Sequence, residues 1–268
     1  MEYGLITKST YGVISEIDRF SKLGFDYAEI SMEEPYATPY MLRRDAKSIL
    51  AALKRRGMFS IGHTAYWTDF GTMHKHVREG WIKEAMEMVL AARDLRMEYL
   101  NFHFYPGNGF TSKIPKGRKM FLENFTGAME KLSAFAGKNN VTIMLENLGP
   151  RDSAAYLMED FRHVLESVPR LMVHLDVAHA YIEGGNRKIE KYISAFSDRI
   201  VHIHAHDNNG KEDEHLPIGR GKIDFNRVVS SLKKIGYDRT VTFEVFTSNS
   251  DATKSMESFE RMWNPRKR

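Results

Sequence analysis

The chain contains no cysteine. Disulfides and thiolate metal sites are excluded, so any bound metal must be held by imidazole nitrogens and carboxylate oxygens. The same absence fits a reducing compartment. No apolar leader follows Met1, and no uninterrupted apolar stretch approaches the roughly 20 residues needed to cross a bilayer. A cytoplasmic protein without a membrane partner is expected. A strong charge excess is also missing. The formal net charge is +4, and Arg266, Lys267 and Arg268 at the C-terminus supply three of those charges. A basic tail is more often a solvated end than a nucleic-acid arm, and the near-neutral remainder gives a DNA partner little support. Finally, the chain has no linker-like or low-complexity stretch.

What is present is a regular alternation of strand-like and helix-like segments. The strand-like runs are 3–7, 25–31, 58–63, 99–104, 141–146, 171–176, 199–204 and 240–245, each short, apolar or β-branched, and bounded by turn residues. Helical periodicity is found at 11–23, 43–56, 74–96, 117–138, 157–168, 187–197, 224–236 and 252–263. Gly24, Gly57, Gly137 and Gly236 are helix stops. Eight strands each followed by a helix predict an α/β protein, a closed (β/α)8 TIM barrel in a single domain. An open doubly wound sheet would place a glycine-rich phosphate turn after the first strand. The segment Lys8-Ser9-Thr10-Tyr11-Gly12 is not such a turn.

In such a barrel, chemistry sits at the C-terminal ends of the strands. His63 ends the third predicted strand, His103 the fourth, Glu146 the fifth, Asp176 the sixth and His204 the seventh, with Glu244 near the end of the eighth. His179 follows Asp176 by three residues, and Asp213 and His215 lie in the loop after the seventh strand. Carboxylates and imidazoles brought together in this way offset their charge and desolvation costs by binding a divalent metal. Taken singly, each has a blander explanation. Asp176 is also a helix N-cap candidate, as is Glu146, while substrate contact rivals ligation for His63 and His103. Glu244, flanked by Phe243 and Val245, needs a cation if buried. His202, His204 and His206 share one side of their strand. His204 is expected to reach the site, with His202 in the core and His206 or Asp207 behind the ligands. His174, His74 and His76 read as structural or surface residues.

Substrate contacts are expected from Trp67, Phe104 and Tyr105, whose rings suit a sugar or a base. Arg220, between Gly219 and Gly221, reads equally as a phosphate contact or a solvated loop residue. Lys113, Lys116, Arg118 and Lys119 fit the polar start of a helix better than a phosphate site.

The motifs LDVAHA (175–180), HAHDNNGKEDEHLPIGRGKIDF (204–225), LEN (145–147) and FEV (243–245) resemble the xylose-isomerase-like TIM barrels. That superfamily contains sugar and sugar-phosphate isomerases and epimerases as well as the endonuclease IV family of abasic-site repair enzymes. The resemblance spans nearly the whole chain and implies one domain over 1–268. For the isomerases and epimerases it implies one divalent metal (Mn, Mg, Co or Zn) held by Glu146, Asp176, His204 and Glu244. Glu146 and Glu244 would then exchange a proton through an enediolate, with His179 orienting a small sugar or sugar phosphate and Arg220 holding a distal phosphate. For endonuclease IV it implies up to three zinc ions on His63, His103, Glu146, Asp176, His179, His204, Asp213, His215 and Glu244, with DNA as the partner. Asp213 and His215 keep the D-x-H-x-x-x-G-x-G pattern. The stretches FYPGNGFTSK and NLGPRDSAAY lack the glycine- and serine-rich DNA-facing sequences of the repair enzymes. The isomerase or epimerase is therefore the expected function, and abasic-site phosphodiester hydrolysis the alternative.

Overall fold

A computed structural model describes residues 1–8, 10–105, 113–148 and 158–265. The C-terminal basic triplet, and most of the two loops whose composition argues against a DNA partner, lie outside the described residues. Eight parallel strands close into a barrel in sequence order, β1(Glu2–Ile6), β2(Tyr27–Met32), β3(Phe59–Thr64), β4(Tyr99–His103), β5(Thr142–Glu146), β6(Met172–Asp176), β7(Ile200–His204) and β8(Thr240–Thr242). The helices among the described residues are α1(Val13–Lys22), α2(Pro39–Arg56), α3(Lys75–Asp94), α4(Pro115–Lys138), α5(Met158–Ser167), α6(Val177–Ala195), α7(Phe225–Lys234) and α8(Asn249–Trp263). Closure is made by β1 pairing with β8, Gly4 lying opposite Thr242.

Local chemistry sets the element ends. In α2, Thr38 caps the first turn by accepting from the Met41 N–H, Pro39 occupies the first turn, and Gly57 ends the helix at φ +65°. Among the boundaries that differ from the sequence reading, two bear on the site. Helix α6 starts at Val177, ten residues earlier than expected, because the Asp176 side chain caps it by accepting from the His179 N–H at 2.7 Å. Its apolar pattern is broken by a kink at Gly184 and Gly185, which hides the first half from a periodicity search. Strand β8 stops at Thr242, so Glu244 stands beyond it.

The apolar core lies between barrel and helices, where Phe20, Phe102, Phe125, Phe161, Phe243 and Phe259 are buried. The interior of a TIM barrel is ordinarily filled by layers of Val, Ile and Leu. Here polar groups cross it. The Tyr27 hydroxyl meets Thr242 Oγ1 at 2.8 Å, Asn101 donates to Glu146 at 2.6 Å, and Glu29 reaches across to His202 and His204 on β7. Gly4 makes room for this layer, since a Cβ there would fall 2.3 Å from the Tyr27 ring.

Candidate metal centre

A cavity of about 880 Å³ opens at the C-terminal ends of the strands. His63, His103, Glu146, His179, Asp213, His215 and Glu244 line it, while Asp176 and His204 are fully buried beneath. All nine predicted ligands thus belong to one connected set. Glu146 stands 3.0 Å from His103, 3.6 Å from His63 and 3.4 Å from His179. His179 in turn stands 3.6 Å from Asp176 and 3.0 Å from Asp213. Glu244 lies 3.1 Å from His204 and 3.5 Å from His215, and Asp213 lies 3.1 Å from His215.

Asp176 is the helix cap that the sequence offered as its blander reading, one oxygen capping α6 while the other lies 3.0 Å from His206. The loop carrying Asp213 and His215 is held by Asp207, which pairs through its backbone with Leu216 and accepts from the N–H groups of Gly219 and Ile223 at 2.9 and 3.1 Å. Gly219 has φ +87°, and a Cβ on Gly221 would lie 2.3 Å from the Asp207 carboxylate. The glycines of the D-x-H-x-x-x-G-x-G pattern are therefore demanded by the fold of this loop.

The hydrogen bonds around the histidines test whether the donor set fits a metal. His179 Nδ1 lies 2.9 Å from the Asn147 carbonyl, and His215 Nδ1 lies 3.1 Å from the Glu244 carbonyl. A carbonyl only accepts, so each Nδ1 carries the proton and each neutral ring turns its Nε2 lone pair to Asp213. A lone pair facing a carboxylate at about 3 Å is repulsive unless a proton or a cation lies between them. Histidines that donate from one nitrogen to a backbone acceptor and turn the other nitrogen toward a carboxylate match the arrangement found in metal ligation. His63 Nδ1, His103 Nδ1, His206 Nδ1 and Asp213 Oδ1 are, in addition, buried without a hydrogen-bond partner. The set fits a divalent cation.

With protons in place of the cation, the electrostatics follow the same pairs. Burial works against charge throughout. Even so, His103 and His174 hold the Glu146 carboxyl well below its usual range. His215 and His204 bring Glu244 down to about 2. Burial would lower the imidazoles, but Asp176 and Asp213 raise His179 well above its ordinary value, and Glu29 and Glu244 do the same for His204. His215 is raised to about 9, chiefly by Glu244 against burial. His103 stays below its ordinary value because burial outweighs Glu146.

Several expected positions sit elsewhere. Phe104 is 3% exposed and packs among Phe121, Phe125 and Phe161, outside the cavity lining. Trp67 borders a separate groove beside Met32 and Trp81, and Tyr105 packs edge-on against Tyr66, itself on the cavity wall. Arg220 is exposed on a turn and does not line the cavity. Of the three histidines read as structural or surface residues, His74 and His76 are exposed and His174 is fully buried, 3.4 Å from Glu146. His206, expected behind the ligands, stacks on His215 at 4.3 Å and forms a possible ligand group with Asp176 and His179. Sequence reasoning missed Glu29, which is fully buried against His202 and His204. Its one signal is a carboxylate at the middle of a parallel strand that is covered on both faces.

A family model described as xylose isomerase-like TIM barrel matches residues 17–262. Among curated proteins, L-ribulose 3-epimerase of Methylomonas sp. is 26% identical, the match covering 90% of this chain and 80% of that protein. Probable endonuclease 4 of Natronomonas pharaonis is 28% identical over 60% of each chain. Among solved structures, a D-tagatose 3-epimerase-like protein superimposes with a TM-score of 0.83 at 23% identity, covering 99% of both chains.

Proposed function

Since the chain belongs to the xylose isomerase-like TIM barrel family, we propose that it is a metal-dependent epimerase or isomerase acting on a small sugar or sugar phosphate. The observation that carries this reading is the opening of two buried carboxylates, Glu146 from β5 and Glu244 beyond β8, onto one cavity with Asp176 and His204 buried beneath it. At about 880 Å³ the cavity suits a monosaccharide-sized ligand. The 26% identity to an L-ribulose 3-epimerase over most of both chains supports the same substrate class.

Glu146, Asp176, His204 and Glu244 would hold the ion. A divalent cation there supplies Lewis acidity toward a sugar carbonyl, lowering the cost of removing a proton from the neighbouring carbon. Glu146 takes that proton on one face of the substrate. Glu244 relays a proton from cavity water to the carbon on the other face, and the proton held by Glu146 passes back to that water, so that both carboxylates end ionised as they began. The two titrate as members of one network, so neither carries a private pKa during turnover. His179 contacts a substrate oxygen. Lys8 and Lys211 line the cavity, whereas Arg220 does not, so a distal phosphate would meet these lysines.

Glu146→Gln tests the assignment. Turnover of ketose substrates should fall by about 10²-fold or more in variant protein whose circular dichroism shows the fold retained. Retained epimerisation would overturn the roles given to the two glutamates.

The second reading is zinc-dependent incision at abasic sites in DNA. The observation favouring it is that His63 with His103 and Glu146, and His179 with His215 around Asp213, are also within ligand reach of one another. Metal content separates the readings. The epimerase should hold about one Mn, Mg or Co per chain, and three zinc ions with chelator-sensitive cutting of an abasic duplex would favour the nuclease.

A further inference from the structure

We infer that Glu29, on β2 and outside every ligand set above, is the positioning residue of the metal centre. Its carboxylate fixes the tautomer of His204 and so turns the Nδ1 lone pair of that ring toward the metal. The inference rests on the metal-dependent reading proposed above.

Glu29 and His204 are both completely buried. His204 Nε2 lies 3.1 and 3.0 Å from the two carboxylate oxygens, and His202 Nε2 lies 3.0 Å from one of them. An ionised carboxylate only accepts, so both rings donate from Nε2. For His202 the opposite nitrogen is satisfied by the Thr240 hydroxyl at 2.8 Å, which closes that branch. For His204 it is not. With Nε2 protonated, its Nδ1 lone pair faces Glu244 Oε2 at 3.1 Å and Asp176 Oδ2 at 3.8 Å. Three acceptors converge there, an arrangement that a divalent cation reconciles.

The ring cannot escape this orientation. His63 stacks on one face of it at 5.5 Å and 12°, while His174 stands edge-on at 4.0 Å. His179 and His215 are anchored by neutral backbone carbonyls. His204 is instead anchored by a carboxylate, and a charged acceptor raises the donor strength of the distant nitrogen more than a neutral one does. Glu29 thus serves the centre from the barrel interior without touching the substrate cavity, whose lining does not include it.

The test uses chelator-stripped full-length protein titrated with Mn²⁺, Zn²⁺ or Co²⁺ alone. Glu29→Gln keeps the volume and removes the charge. Metal affinity should fall by about 10- to 100-fold, and the visible absorption of the Co²⁺-loaded protein should shift. A purely structural role would lower the unfolding temperature of the metal-free protein but leave affinity and the cobalt spectrum of the folded protein unchanged. That result overturns the inference alone. A wild-type protein that binds none of the three ions overturns the metal-dependent reading with it. Should Glu29→Gln fail to fold, ¹⁵N-histidine NMR of the Zn²⁺-loaded wild type gives the answer, using His204→Asn for assignment. A proton on His204 Nε2 supports the inference, and a proton on Nδ1 overturns it.

Discussion

Asp207 accepts from the backbone N–H groups of Asn208, Gly219 and Ile223 at 2.9, 2.9 and 3.1 Å, from a fully buried position. These bonds fold the loop back so that Asp213 and His215 face the cavity. A Cβ on Gly221 would lie 2.3 Å from the Asp207 carboxylate and 2.4 Å from the Asn208 carbonyl oxygen, and backbone cannot yield as a flexible side-chain end can. Gly221→Ala should therefore destabilise the fold by about 1–3 kcal/mol. It should also weaken metal binding although no candidate ligand is removed. Thermal unfolding and metal titration of the same preparation check this, and unchanged affinity would separate the loop from the centre. The nine candidate ligands could be read because each ends a strand or lies in the segment that follows one, where a barrel collects its chemistry. Glu29 was not, because Tyr27, Glu29 and Ser31 alternate with Ala28 and Ile30 as a half-exposed strand would. Only a barrel with a polar interior turns such a face inward.

At the scale of elements, the eight strand–helix units and their order were legible from short β-branched runs and helical periodicity. Boundaries failed where one residue serves two ends. Asp176 finishes β6 and caps α6 at once, leaving no loop between strand and helix to be read from composition. The kink in α6 then divides its apolar stripe. Gly185 has φ +68° and ψ −168°, a region that is nearly closed to residues bearing a Cβ. Close by, Glu183 accepts from the Met158 N–H, the Lys188 ammonium and the Tyr192 hydroxyl, tying the start of α5 to both halves of α6. Gly185→Ala should cost about 1–3 kcal/mol, read as a lower unfolding temperature. Since His179 lies before the kink, metal affinity should change less than stability does. A variant as stable as the wild type would show that the kink is not strained for other residues.

For the whole molecule, stability and metal binding are coupled through the same histidines. In the metal-free protein burial opposes charge on His215, but Glu244, Asp213 and Asp176 together raise it from 6.5 to about 9, and His179 and His204 are also raised. A raised histidine stabilises the folded state fully below its unfolded pKa of 6.5, and that contribution is lost as pH climbs through the folded value. Glu244, brought from 4.5 to about 2, contributes in the opposite sense. Its share is present above 4.5 and lost as pH falls through about 2. The chelated protein should therefore lose unfolding temperature between about pH 7 and 9, in the window set by His215. Metal must displace those same protons, so affinity should rise with pH over that window, and with it the stabilisation that a fixed, limiting amount of Mn²⁺ provides. Unfolding scans at several pH values, with chelator and with metal, should diverge as pH increases. Parallel curves would mean that the imidazoles of the cavity take no part in holding a cation, and the centre built from β5, β6, β7 and the segment after β8 would then be a hydrogen-bonded polar core.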